Sequence, residues 1–154
     1  MWRVAALLAV AGCSSQDPVI ALQAMGAEIA RNQQGKVDYV DLSGDQVFDD
    51  RTGNLLRIET QVTVAGLSHL QGMTALRELK LSHTPVGDSG LIFLRALSNL
   101  EVLHLTGTKI TDAGLVHLRG LKKLQELHVD RDACSFAALE ELQQDLPELA
   151  ILTK

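Results

Sequence analysis

A three-leucine pattern returns every 24 residues: Leu76, Leu79 and Leu81 recur as Leu100, Leu103 and Leu105, then as Leu124, Leu127 and Val129. Further columns keep the same step. Val86, Ile110 and Cys134 align, as do Gly90, Gly114 and Ala138, Leu91, Leu115 and Leu139, and Leu94, Leu118 and Leu142. So many coincidences at one spacing predict a single supersecondary unit stacked on copies of itself, because one unit cannot bury its leucines alone.

Within a unit the periodicity changes from strand to helix. In Leu100–Leu105, Leu103 and Leu105 fall on one face of an extended segment while Val102 and His104 fall on the other. In Leu115–Leu121 the apolar residues lie three apart, a helical spacing. Between them Ile110 is the inward residue of a turn, Thr111 is a suitable N-cap, and Asp112 sits where a helix start favours a carboxylate. Each unit therefore reads as strand, turn, short helix.

The string from Leu100 to Leu121 resembles the leucine-rich repeat family, in its short bacterial variant with a Thr-Asp-x-Gly-Leu core. The resemblance covers residues 35–146 and implies an α/β solenoid with a curved parallel sheet on the concave face and short helices on the convex face. Thr84 and Thr108 stand where the family usually has Asn, and a hydroxyl can still bond nearby backbone. Residues 35–50 look like an earlier unit, with Val37, Val40 and Leu42 in its strand, and residues 55–67 look like a degenerate one. Upstream, residues 19–36 read as a cap: a helix from Val19 to Met25, a strand from Ala27 to Asn32, and a turn at Gln33–Gly35. Downstream, Ser135 is the expected N-cap of a last helix that Pro147 stops, and the tail 147–154 supplies an edge strand around Leu149–Ile151.

The leader carries a second signal. Arg3 precedes the apolar run Val4–Ala11, which is too short for the roughly 20 residues of a bilayer span, and Gly12–Cys13 follows. Val10-Ala-Gly-Cys13 resembles the lipobox of bacterial lipoproteins. The resemblance implies a signal peptide over 1–12, a lipidated Cys13, a polar tether over 13–18, and a domain held at a membrane of the cell envelope. Of the two cysteines, Cys134 falls in an apolar column and reads as a small buried hydrophobe.

Charge narrows the partner. The net charge is −5, and losing the leader with its single Arg3 makes it −6. An acidic surface with 3% aromatics suits neither a phosphate backbone nor base stacking, so nucleic acid is not an expected partner. The outward strand residues are left as the candidate binding face. One column reads Asp41, Arg57, Lys80, His104 and His128; beside it stand Tyr39, Glu78, Val102 and Glu126; a third runs through Ser43, Glu59, Ser82, Thr106 and Asp130. Mixed charge over a face of roughly 20 Å fits a peptide or a protein edge. The expected function is thus a non-enzymatic, monomeric protein-binding module without a cofactor. Catalytic patterns such as HExxH, GxSxG and CxxC are absent from the sequence. The competing chemical reading is a metal site at His104 and His128, although repeat copying alone explains why one histidine follows the other a period later. A further alternative makes the leader spurious and the domain a cytoplasmic adaptor.

Overall fold

The computed structural model describes residues 17–44, 46–48, 55–57 and 62–154. Helix α1 (Pro18–Ala24) begins with Pro18 in its first turn and Asp17 as N-cap, whose carboxylate accepts from Val19 N–H at 2.8 Å. Strands β1 (Glu28–Arg31) and β2 (Val37–Asp41) then form an antiparallel hairpin. Its turn is held by the Asn32 side chain, which accepts from the N–H groups of Gln34 and Lys36.

The next segment departs from the expected repeat. Strands β3 (Gln46–Phe48) and β4 (Leu55–Arg57) pair with each other in a separate two-stranded sheet. Helix α2 (Val64–Leu67) follows, capped by Thr63. No strand stands between β2 and β5 (Glu78–Lys80), which pair directly, with Val40 opposite Leu79. Among the described residues this segment therefore adds β2 to the main sheet and no second strand before β5. Val40 and Leu79 are 39 residues apart, 15 more than the period, and the local hairpin takes up the excess.

The period then runs without interruption through α3 (Asp88–Leu91), β6 (Val102–His104), α4 (Asp112–Leu115), β7 (Glu126–Val129), α5 (Phe136–Asp145) and β8 (Ala150–Thr153). The main sheet has the order β1-β2-β5-β6-β7-β8, antiparallel at the first pair and parallel thereafter. Inward leucines form the core: Leu76, Leu79, Leu81, Leu100, Leu103 and Leu127 are wholly inaccessible to solvent. Cys134 joins them, and its thiol is pushed up to about 11, first by burial and then by the Asp112 and Asp88 carboxylates, so it stays protonated. Thr84 and Thr108 each donate to the carbonyl three residues back, Leu81 and Leu105, at 2.6 Å.

Two devices join one unit to the next. The first is a carboxylate staple: Asp88 accepts from both Thr111 N–H and Thr111 Oγ1 at 2.7 Å, and Asp112 accepts from Ser135 N–H at 2.6 Å. The helix-start aspartate thus holds the cap of the following helix as well as sitting at its own helix start. The acid is missing at the equivalent Val64, which comes before the glycine N-cap Gly87 of α3, and at Phe136, which has no following helix among the described residues. The second device is close helix packing. A Cβ on Gly66, Gly90 or Gly114 would collide with Met25, Leu67 or Leu91 of the preceding helical layer.

Hydrogen bonds from Ser135 hold the Asp112 carboxyl below its ordinary value of 3.8. A depressed folded pKa adds stability that is complete above the unfolded value and is lost as pH falls through the folded one. Acidification below 3.8 should therefore loosen the α4–α5 junction. In Asp112→Asn the acid-induced loss of amide-exchange protection at Ser135–Ala138 should be weaker than in the wild type. Identical pH profiles would contradict the staple.

Candidate binding face

Strand alternation turns every second residue of the sheet away from the leucine core, and the observed pairing fixes which outward residues stand side by side. Asp41 lies opposite Lys80, Lys80 opposite His104, His104 opposite His128, and His128 opposite Leu152. The second column runs Tyr39, Glu78, Val102, Glu126 and Ala150. Arg57 is not in this face: it lies on β4 opposite Gln46, because the hairpin leaves the main sheet. Glu59 and Cys13 lie outside the described residues. Glu28, opposite Asp41, and Leu152, opposite His128, extend the first column beyond the expected set. Leu152 was detectable, since Ile151 stands 24 residues after Leu127.

The first strands carry a hydrogen-bonded polar cluster. Tyr39 Oη donates to Asp41 Oδ2 at 3.0 Å and accepts from Lys80 Nζ at 3.2 Å, while Lys80 Nζ pairs with Glu78 Oε1 at 3.3 Å. Lys80 Nζ also lies 5.1 Å from the Tyr39 ring centroid. Burial, reinforced by a hydrogen bond to Asp41, raises the Tyr39 pKa, and the bond to Tyr39 raises that of Lys80. Tyrosine is thus neutral and lysine charged at neutral pH. Asp130 has a structural task, because its carboxylate accepts from Gly107 N–H of the preceding loop at 2.6 Å.

Further along, the His104 and His128 rings stack with centroids 4.0 Å apart and planes inclined by 14°. Burial, then the neighbouring His128 and Lys80, depress the His104 pKa. His128 Nε2 has no hydrogen-bond partner among the described residues; Glu126 Oε2, at 3.5 Å, is within ion-pair reach but fails hydrogen-bond geometry. The stacking does not suit a shared metal ion. Imidazole lone pairs lie in the ring plane, so near-parallel rings direct them side by side, whereas a tetrahedral zinc needs nitrogens converging at about 2.0–2.1 Å. Among the described residues no group of three His, Cys, Asp or Glu side chains is placed to hold a metal.

A parallel sheet backed by short helices with period-24 leucines is a leucine-rich repeat fold. The leucine-rich repeat profile matches residues 72–94 and 96–118. Among solved structures, the segment described as leiomodin-1 actin-binding site 2 is 18% identical with a TM-score of 0.55, over 93% of this chain and 80% of that one. Two internalins of Listeria monocytogenes are also similar. Internalin F shares 18% identity at a TM-score of 0.48, over 55% of this chain and 24% of that one, and internalin C2 shares 17% at 0.41, over 89% and 63%. The chain thus spans about a quarter of the first internalin's length. At these identities the likeness is one of fold. No curated protein matches the chain.

Proposed function

We propose that this protein is a non-enzymatic protein-binding module, anchored by lipid on Cys13 in a bacterial cell envelope, that recognises its partner through the outward face of the main sheet. One observation carries the binding reading. The strands hold Tyr39, Asp41, Glu78, Lys80, Val102, His104, Glu126 and His128 in register as a continuous, part-exposed, mixed-charge surface while every inward neighbour is spent on the core. A rigid platform of that kind supplies preorganised contacts, the condition under which a modest area binds well. The leiomodin-1 segment shows the same fold named for a protein ligand, but at 18% identity its ligand does not transfer. The anchoring reading rests on the lipobox-like Val10–Cys13.

Two measurements test the two parts. Pull-down from envelope extract should recover a partner with the wild type, and recovery should fall at least about tenfold when Lys80, His104 and His128 are all changed to Ala. Equal recovery by both would count against the face. Mass spectrometry should find acyl groups on Cys13 at a new N-terminus, and an unmodified cysteine behind an intact leader would end the anchoring reading.

A further inference from the structure

The two edges of the main sheet are built differently. β1 carries Glu28 and Arg31 and a register shift between Ala30 and Arg31, the charge and irregularity that keep an edge strand from pairing with another chain. β8 has neither device: Ala150-Ile-Leu-Thr153 holds no charge and no proline, and its register against β7 is unbroken. Among the described residues no strand pairs with its far edge. We propose that this edge binds a second copy of the chain, β8 against β8 and antiparallel about a two-fold axis, giving a dimer in place of the monomer expected from the sequence. The proposal stands apart from the binding role above.

Hydrogen bonding selects the register. Ala150 and Lys154 N–H donate to the Gln125 and Val129 carbonyls at 2.8 and 3.2 Å, so the even-numbered residues face β7, and Ile151 and Thr153 turn their N–H and C=O groups to the open edge. In an antiparallel pair two opposed residues exchange both bonds. Ile151 opposite Thr153 of the second copy uses every one of these groups. Ile151 opposite itself would set Thr153 against Leu149, whose N–H already donates to the Leu146 carbonyl and whose own carbonyl accepts from Gln143 Nε2 at 3.2 Å. The first register places Leu152 across from itself at the axis, on the outward face, as a closely spaced pair without hydrogen bonds. Leu152 is 46% exposed in the single chain, and the contact covers it.

On the core side the same axis brings two apolar grooves together. Each groove, about 380 Å³ between α5 and β8, has Phe136, Leu139 and Ile151 in its lining. Phe136 is 76% exposed, the most of any large apolar side chain among the described residues, and it gains on being covered.

Charge favours the antiparallel arrangement. Glu148 comes before β8 and Lys154 after it, and Arg131 lies at the Lys154 end, where its N–H donates to the Lys154 carbonyl at 3.1 Å. Two-fold pairing sets the Arg131 and Lys154 end of each copy beside the Glu148 end of the other, whereas parallel pairing would set like beside like. The groove itself is balanced, with Arg131 and Glu140 in its lining, and Asp132 of the neighbouring turn does not line it.

Sedimentation velocity of the full chain tests the dimer. Wild type should approach twice the 16.7 kDa chain mass as its concentration rises from about 1 to about 100 µM. Thr153→Pro removes an N–H that points to the open edge and none that faces β7, so it should weaken association at least about tenfold with an unchanged circular dichroism spectrum. Leu152→Lys, which sets like charges across the axis, should weaken it by at least about as much. In a Cys13→Ser background, Leu152→Cys should form an intermolecular disulfide on air oxidation, as the closely spaced pair allows, and Val116→Cys, 48% exposed on the helical side, should not. A wild type that stays monomeric would overturn the proposal and leave β8 to a strand of another protein. Dimers that persist in folded Thr153→Pro and Leu152→Lys, or that fail to crosslink through position 152, would place the contact elsewhere and overturn it as well.

Discussion

Leu103→Ala is expected to remove about 3–4 kcal/mol of folding stability, the range for a fully buried leucine truncated without collapse of its surroundings. Leu103 sits at the middle of β6 between Leu79 and Leu127, all three inaccessible to solvent, so both neighbouring units lose contacts at once. Against a typical total of about 5–15 kcal/mol, the variant should unfold at far lower urea concentration. Val102→Ala, one residue away on the outward face, should change stability by no more than about 0.5 kcal/mol. Urea titration of the two variants checks the pair. Similar midpoints would mean that the inward and outward faces of β6 are wrongly assigned.

Gly114→Val is the second large effect. A Cβ at this position would meet the Asp88 carboxylate and the Leu91 side chain, so the substitution pushes α4 away from α3 and disturbs the staple to Thr111 together. Overpacking alone costs about 1–3 kcal/mol, and the strained hydrogen bonds add to it. A loss of about 3 kcal/mol is expected by the same titration. Ala138, the aligned residue, should accept Val with less penalty, since it is part-exposed and its site already accommodates a Cβ against the preceding helix. Equal losses at 114 and 138 would contradict the packing account.

Much of this architecture was legible because the repeat samples it three times. Leu79, Leu103 and Leu127 give the strand register, Thr111 and Ser135 give the helix starts, and the register then puts Lys80 beside His104. Where only one copy exists, the reading failed. The strand-like apolar spacing of Leu55–Ile58 puts Arg57 on a strand, which it is, but spacing does not say that the partner is β3 and not the main sheet. The staple was also only half visible. Asp88 and Asp112 looked complete as helix starts, and nothing in one unit shows that their oxygens reach the cap of the next. The left-handed φ of His83 and its ring laid on Gly107 have no signal within one unit, since both arise from loop stacking across units. Comparing His83 with Gly107 in the alignment of units was the available signal.

The partner is expected against the outward face of the sheet. A photocrosslinking amino acid at Val102 tests it directly, with the same group at Val116 as control, a residue 48% exposed just beyond α4 on the helical side. In the native cell, position 102 should give a defined crosslinked protein, and competition with unlabelled wild-type domain should abolish it. Crosslinks formed from position 116 but not from 102 would place the interface on the helices and contradict the account.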